Sequence, residues 1–353
     1  MKKISASYSD TLAFYSFLLC GAVFSGFLNY GKGTFISFVF SSICLIITAF
    51  PVFLFMSVKT DFSCVRKYEA FFIIPLIFCC ISLFSVYSKS FSEALPTLSQ
   101  GFGQKWFSVA FIIVSLFAAS LCTKKNHSVF ISLCILVLPA IILPLFIGWF
   151  SFLGYKVPDI SAFYQSFDTG NRHFTDGLTL GAQIPFISLL PGIKKHKNTR
   201  RSFVIALFLF LITLFLESAK HIFYFGADGA QFIVNPTKTI ISSVPFLNIR
   251  ELYVFAFYFS YMIKISLLYI SCFVLVKRLC KTLSFKSICE KKVGLITFFL
   301  ISGLYIFSET KAMATLPPLS YDIIFATASS CLIVLGIFAN CAANRKKSAP
   351  NHR

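Results

Sequence analysis

Residues 236 to 277 read PTKTIISSVPFLNIRELYVFAFYFSYMIKISLLYISCFVLVK. The stretch begins with an irregular segment that contains prolines, passes the charged pair Arg250 and Glu251, and continues as a long apolar run with Lys264 in its middle. A run of about twenty apolar residues is long enough to cross a bilayer as a helix. A charged side chain at bilayer depth is costly and normally faces protein or water. The stretch therefore predicts a membrane helix whose lysine avoids lipid.

The whole chain has the composition of a membrane protein. Of its 353 residues, 57% are hydrophobic and only 13% are charged, and the mean hydropathy is +0.81. Soluble domains carry about 25% charged residues. The composition predicts an all-α, polytopic membrane protein that forms one integral membrane domain over residues 1–353. Lys2 and Lys3, followed by an apolar segment without a clear cleavage site, predict a retained first span and not a signal peptide.

Ten segments are apolar and long enough, or nearly so, to be membrane helices. Their approximate ranges are 11–28, 34–58, 70–88, 106–122, 129–150, 177–193, 202–217, the run just quoted, 293–310 and 321–341. A polar loop with Glu93 and Pro96 follows the third span, and a semi-apolar loop over 218–248, expected to contain short helices, follows the seventh. Glu217 and Lys220 end the seventh span near the outer surface, where we expect a solvated salt bridge.

The distribution of positive charge predicts the orientation. The formal net charge of +19 could indicate a nucleic acid partner, but the basic residues form short clusters between apolar runs and no single stripe. Most of the 32 Lys and Arg residues fall on one side of the predicted membrane. Since cytoplasmic loops are enriched in Lys and Arg, both termini and the loops 193–201 and 278–292 are expected to be cytoplasmic. We expect the lipid bilayer, and no nucleic acid, as a partner.

The sequence contains no recognisable catalytic or metal-binding pattern. The five His residues are not spaced as metal ligands, and no GxSxG motif is present. Most of the 12 Cys residues lie in apolar spans, without a CxxC pair, and membrane-buried Cys behaves as a small hydrophobe. We therefore expect no enzymatic activity, no cofactor and no metal ion.

The quoted stretch also carries a family resemblance. The Asn235–Pro236 and Arg250–Glu251 pairs and the Lys-Ile-Ser-Leu core at 264–267 resemble the B subunit of spore-germination nutrient receptors. The upstream segment PFISLLPGIKKHKNTRR at 185–201 is similar to the same family. The resemblance implies a permease-like protein of the amino acid, polyamine and organocation transporter superfamily, in the cell or spore inner membrane. It also implies partner A and C subunits and a small germinant, such as an amino acid.

Two interrupted spans suggest an internal repeat of five spans, with halves at about 10–150 and 177–341. In transporters with inverted repeats, Gly- or Pro-interrupted segments at corresponding positions of the two halves indicate the binding site. The first and sixth spans are such segments. The resemblance implies the same five-plus-five, LeuT-like fold.

The candidate ligand site follows from these interruptions. Small residues in the first span could free backbone groups for a carboxylate or a cation, and Gln183 and Pro185 would supply the facing wall. The alternatives are a small-residue packing face in the first span and a structural role for Gln183, whose amide needs a hydrogen-bond partner at this depth. The predicted ligand-binding residues are Gly21, Ala22, Ser25, Gly26, Gly181, Gln183, Tyr261 and Lys264.

A more specific hypothesis concerns Lys264. The resemblance allows its ammonium group to replace a cation that, in sodium-coupled relatives, holds the first and eighth spans together. Carbonyl groups at 21–26, with Ser25 and Ser260, are the expected acceptors, since no acidic residue lies centrally in a predicted span. The alternative is a lysine that faces a watery cavity without a structural role.

At the level of function, these observations predict a germinant-receptor B subunit that binds a small nutrient in a transporter-like site and triggers germination. The alternative is a stand-alone amino-acid permease that is coupled to cations or protons. The two alternatives share one fold.

Overall fold

The computed structural model describes residues 2–22, 39, 42–43, 45–50, 52–53, 69–98, 104–125, 127–150, 184–187, 189, 199–229, 236–243, 250–283, 290–309 and 331. Within these ranges the backbone is helical, apart from turn residues at 189, 243 and 283, and contains no strand. The all-α prediction is confirmed.

Nine helices have defined bounds in the described ranges. They are α1 (Lys2–Ala22), α2 (Glu69–Leu98), α3 (Gln104–Lys125), α4 (His127–Phe150), α5 (Ile184–Ile187), α6 (Thr199–Gly229), α7 (Pro236–Ser242), α8 (Arg250–Thr282) and α9 (Glu290–Glu309). The described residues within 39–53 are helical as well.

Four of these helices, α2, α4, α6 and α8, are long and apolar enough to cross a membrane. Helices α3 and α9 contain shorter apolar stretches, at 107–121 and 292–303. Large apolar side chains lie on the outside of these helices, with Leu136 76% exposed and Phe71 75% exposed. Helices that are apolar and exposed are typical of a protein whose surroundings are lipid. The prediction of a polytopic membrane protein is confirmed.

Two segments predicted as loops are wholly or partly helical. Glu93 and Pro96 lie within α2, which continues to Leu98. Helix α6 continues past 217 as far as Gly229, with one non-helical residue at Gly226 (φ 80°, ψ 167°). Hydropathy placed the helix ends at the first polar residues, whereas in α6 the helix continues through Glu217 and Lys220, which pair with each other. The rest of the predicted loop contains one of the expected short helices, α7.

The contacts divide the chain into two compact units that interleave along the sequence. Unit 1 contains residues 1–46, 130–180 and 201–264, and unit 2 contains 47–129, 181–200 and 265–353. These units are groups of residues in contact, whereas a structural repeat requires that two parts of the chain have the same fold. The two five-span halves therefore stay a prediction.

In unit 1, α1 packs against α6 through aromatic and polar contacts. The Phe14 and Phe203 rings meet edge to face, with centroids 5.5 Å apart. The hydroxyl groups of Tyr15 and Thr213 form a hydrogen bond of 2.6 Å. Since all of these except Thr213 are large aromatic side chains, most of the stabilisation here comes from buried apolar area, and the hydrogen bond fixes the register of the two helices.

In unit 2, α2, α3 and α9 pack against one another. Phe91 on α2 stacks on Phe111 of α3 with ring centroids 4.8 Å apart. The Tyr269 hydroxyl donates to the carbonyl oxygen of Gly294 at 3.1 Å and so attaches the second part of α8 to α9. Unit 2 is therefore also held by aromatic side chains, one of them with a polar tip that finds a backbone acceptor.

Candidate functional site

The structure describes four of the eight predicted site residues. Gly21 and Ala22 are helical and lie at the last described turn of α1, and Tyr261 and Lys264 lie in α8. The other four, Ser25, Gly26, Gly181 and Gln183, lie outside the described residues.

Lys264 is buried in unit 1, with 1% of its surface exposed. Its Nζ atom lies 4.5 Å from the centroid of the Tyr261 ring, one turn earlier in the same helix. At this distance the ring face attracts the ammonium group, and the attraction is stronger in a desolvated site. Lys264 also interacts electrostatically with Cys20, which immediately precedes Gly21 in α1. The lysine therefore faces protein at the end of α1 where the sequence placed the candidate site.

Cys20 is the centre of the polar contacts between α1 and α8. Its fully buried thiol has Ser16, Ser260 and Lys264 as neighbours. The Ser16 hydroxyl donates to the carbonyl oxygen of Cys134 in α4, at 3.0 Å. One buried cluster thus joins three helices of unit 1, and we call Ser16, Cys20, Ser260, Tyr261 and Lys264 the lysine cluster.

Ser260 leaves hydrogen-bonding capacity open in this cluster. Its hydroxyl is fully buried and, apart from the Cys20 thiol, has no hydrogen-bonding group of the described residues against it. A thiol is a weak donor and a weak acceptor. Because a buried hydroxyl without a strong partner is costly, the cluster has polar capacity for a further group.

The sequence interpretation named Ser260 but missed Ser16 and Cys20. Both lie in the first span, just before the predicted interruption, and their i, i+4 spacing places them on one helix face. That spacing was the available signal. It was overlooked because Cys in an apolar span reads as a packing residue, as it does at most other positions of this chain.

A second buried polar cluster lies in α6, and it corrects an expectation from the sequence. Glu217 and Lys220 form a salt bridge with Nζ and Oε1 2.6 Å apart, and their side chains are only 2% and 0% exposed. Lys220 Nζ also donates to the carbonyl oxygen of Leu145 in α4, at 3.1 Å. The prediction of a solvated salt bridge was wrong, because α6 continues past this pair and α4 covers it. Glu217 lies within the observed span Thr199–Gly226, whereas the sequence interpretation placed it at the end of the seventh span.

Gly148 provides the space for this lysine. A Cβ atom at position 148 would lie 2.9 Å from Lys220 Nζ and 3.2 Å from Lys220 Cδ. Only a residue without a side chain allows the lysine to lie so close to α4. The close approach is what lets the ammonium group reach the Leu145 carbonyl oxygen.

The same cluster extends to α7 through His221. Its Nε2 atom forms a hydrogen bond of 3.0 Å with the Thr237 hydroxyl and lies 3.8 Å from Glu217 Oε2. One turn further along α6, the Tyr224 hydroxyl donates to Ser243 at 2.5 Å. Hydrogen bonds thus attach both the beginning of α7 and the residue that follows it to α6. We call Glu217, Lys220, His221 and Thr237 the charged cluster.

The described part of the predicted sixth span is the four-residue helix α5. All of its residues, including Pro185, are buried. The Ser271 hydroxyl of α8 donates to the carbonyl oxygen of Phe186 at 3.2 Å. The same carbonyl oxygen also accepts from the backbone N–H of Leu189 at 3.1 Å, so a side chain of α8 and the turn after α5 share one acceptor. Gly181 and Gln183 precede α5 and lie outside the described ranges.

Among the residues that the structure describes, no group of three or more His, Cys, Asp or Glu side chains could hold a metal ion. The described cysteines are free thiols. The polar chemistry available in these helices is therefore that of ammonium, carboxylate, imidazole, hydroxyl and thiol groups.

Comparisons with known proteins add little to this geometry. No family model and no curated protein sequence matches the chain. Among solved structures, the chain is similar to Mhp1, a nucleobase-cation-symport-1 family transporter in a closed conformation with bromovinylhydantoin bound. The identity is 12%, the TM-score is 0.48, and the match covers 96% of this chain and 93% of that one. Similarity at this level carries no argument about function.

Proposed function

We propose that this membrane protein binds a small nutrient in a five-plus-five, transporter-like fold, as the B subunit of a spore germinant receptor with partner A and C subunits. An amino acid is the proposed class of germinant. The observation that carries the proposal is the lysine cluster, a buried group of polar side chains between α1 and α8.

The lysine cluster has properties expected of a solute site. Ionisable groups inside a membrane protein are costly, and they usually line a site or pathway. Lys264 supplies a buried amino group that carries a positive charge when it is protonated, the Tyr261 ring supplies an apolar wall whose face attracts positive charge, and Ser260 supplies a buried hydroxyl. A carboxylate with a nearby apolar side chain fits these three groups. Lys264 is also the first residue of the motif that carries the family resemblance.

In this proposal, Lys264 also ties α8 to the end of α1. It interacts electrostatically with Cys20, the residue before Gly21, and the proposed site begins at Gly21. A ligand that contacts both helices would shift the balance between two arrangements of them only to the extent that it binds one arrangement better. In this proposal Lys264 contacts the ligand and makes the binding affinity differ between the two arrangements of α1 and α8.

The first test measures protein level and response separately. In the native spore former, Lys264→Met should reduce amino-acid-triggered germination at least tenfold at normal subunit abundance, and Lys264→Arg should fail to restore it, because the forked guanidinium does not fit the site of an ammonium group. The matched control is Lys281→Met, an exposed lysine of the same helix, which should respond normally. Full response of Lys264→Met at normal abundance would reject the role of the lysine.

A second candidate function is a cation- or proton-coupled amino-acid permease that acts alone. The observation that favours it is the buried charged cluster of α6, since coupling ions need such groups. Proteoliposomes that contain only the purified protein distinguish the two functions. Uptake of labelled amino acids by these vesicles would support the permease, whereas binding without uptake, together with co-purification of A and C subunits, would support the receptor.

A further inference from the structure

The charged cluster of α6 contains an acceptor that no described residue uses. Glu217 Oε1 is paired with Lys220, but Oε2 is buried and accepts no hydrogen bond from the described residues. A buried carboxylate oxygen without a hydrogen bond is energetically unfavourable. A potential donor close to it is His221 Nε2, at 3.8 Å.

At that distance, a shift of about 1 Å would bring the two atoms to hydrogen-bond range. In the present arrangement Nε2 is engaged with the Thr237 hydroxyl at 3.0 Å. A neutral imidazole nitrogen that carries no proton accepts the hydroxyl proton, whereas an imidazolium nitrogen must donate. The two protonation states of His221 therefore prefer different partners, the hydroxyl of α7 or the carboxylate of α6.

We propose that Glu217 and His221 form a proton-binding site. A proton taken up at His221 Nε2 converts the ring to imidazolium, which turns from Thr237 to donate to Glu217 Oε2. The step is proton uptake from water alone and breaks no covalent bond. Its consequence is that α7 loses the hydrogen bond between Thr237 and His221, while the hydrogen bond between Tyr224 and Ser243, just after α7, is kept.

The surroundings of the pair are suited to such a site. The ammonium group of Lys220 on α6 lies next to Glu217 Oε1, the other oxygen of the carboxylate. Tyr15 on α1 interacts electrostatically with the same carboxylate. Helix α4 contributes the Leu145 carbonyl oxygen, which holds the lysine in place. The salt bridge with the lysine favours the ionised form of Glu217, and in this proposal the incoming proton therefore goes to the histidine. Proton binding at His221 involves none of the residues of the lysine cluster.

The first experiment observes the proton directly. The protein is labelled with ¹⁵N-histidine and reconstituted in lipid, and solid-state NMR distinguishes neutral imidazole from imidazolium at each of the five His residues. The signal that disappears in His221→Gln belongs to His221. We expect this signal to convert to imidazolium between pH 8 and pH 5. In Glu217→Gln the midpoint of the conversion should lie at a proton concentration at least tenfold higher. A signal that stays neutral to pH 5, or an equal midpoint in both proteins, overturns the proposal.

The second experiment measures the release of α7. Ile241 is fully buried in α7, and Ser242 beside it is exposed. Ile241→Cys and Ser242→Cys are labelled with a maleimide at each pH, and the ratio of their rates removes the intrinsic pH dependence of the thiol.

We expect this ratio to rise at least fivefold from pH 8 to pH 5.5, and to lose its pH dependence in a His221→Gln background. Thr237→Val, which removes the hydrogen bond without removing the titrating group, should give a high ratio at every pH. A ratio that depends on pH in the same way with and without His221 would show that α7 is not controlled by this proton.

Discussion

Gly148→Ala tests whether the buried lysine of α6 lies where the structure places it. The added Cβ atom would lie 2.9 Å from Lys220 Nζ and 3.2 to 3.3 Å from the two carbon atoms before it. Carbon and nitrogen atoms that are not hydrogen bonded need roughly 3.5 Å or more. The lysine must therefore move by several tenths of an ångström, away from Leu145 and against the Glu217 carboxylate that holds it.

The expected cost comes from comparison with a second glycine. At Gly303 in α9, a Cβ atom would have no described atom within 4 Å, so Gly303→Ala adds a methyl group into open space. Both substitutions gain helix propensity, about 1 kcal/mol each, and this gain cancels in the comparison. What remains is the overpacking around Lys220, of the order of 1 to 3 kcal/mol. With an unfolding entropy of ~2.1 cal/mol/K per residue, this corresponds to a difference of about 1 to 4 °C in Tm for a chain of this length.

The assay uses the cysteines of the chain. The described ones are free, and six of the seven are buried, so a thiol-reactive dye reports unfolding as they become accessible. The Tm of Gly148→Ala should be lower than the Tm of Gly303→Ala. This difference should vanish in a Glu217→Gln/Lys220→Ala background, where the buried salt bridge is absent. Equal Tm values for the two alanine variants in the native background would refute the position of Lys220 against α4.

Further predictions concern orientation, backbone and ligand response. Single cysteines introduced in the loops 193–201 and 278–292 should react with an impermeant thiol reagent only from the cytoplasmic side, because Lys and Arg are concentrated there; labelling from outside would overturn the span count. Gly226→Ala should lower stability by about 1 kcal/mol in the dye assay, because its φ of 80° suits glycine, and an unchanged Tm would contradict this. Bulky substitution at Gly26 or Gly181 should impair ligand response more than protein level, and equal loss of both would favour a packing role.

The long helix within residues 236–277 was well predicted from the sequence. Its long apolar run predicted a helix, and the cost of an ammonium group in lipid predicted that Lys264 faces protein or water. The structure shows α8 from Arg250 to Thr282 with that lysine inside. Both conclusions depend only on the residue and its immediate neighbours, so no knowledge of the tertiary contacts was needed.

The charged cluster could not be predicted in the same way. Glu217, Lys220 and His221 are spaced for one helix face, but hydropathy treats them as the end of a span. What buries them is an acceptor in α4, a space provided by Gly148 and a partner in α7, all of which are tertiary features. The lysine cluster was half predicted for a similar reason, since Ser260 was visible beside Lys264 whereas Cys20 gained its role only from packing.

One difference among the spanning helices has a consequence for how the sequence tolerates change. In the apolar window of α8, 78% of the residues are buried, against 39% to 44% in the corresponding windows of α2, α4 and α6. A helix that presents little surface to lipid has almost no side on which residues can be exchanged freely, because each side chain fills a space that its neighbours define. The other three can exchange one large hydrophobe for another along their outer faces at little cost. Random substitution should therefore be selected against around the whole circumference of α8 at residues 263–273, all of which are buried, and only along one stripe of each of the others.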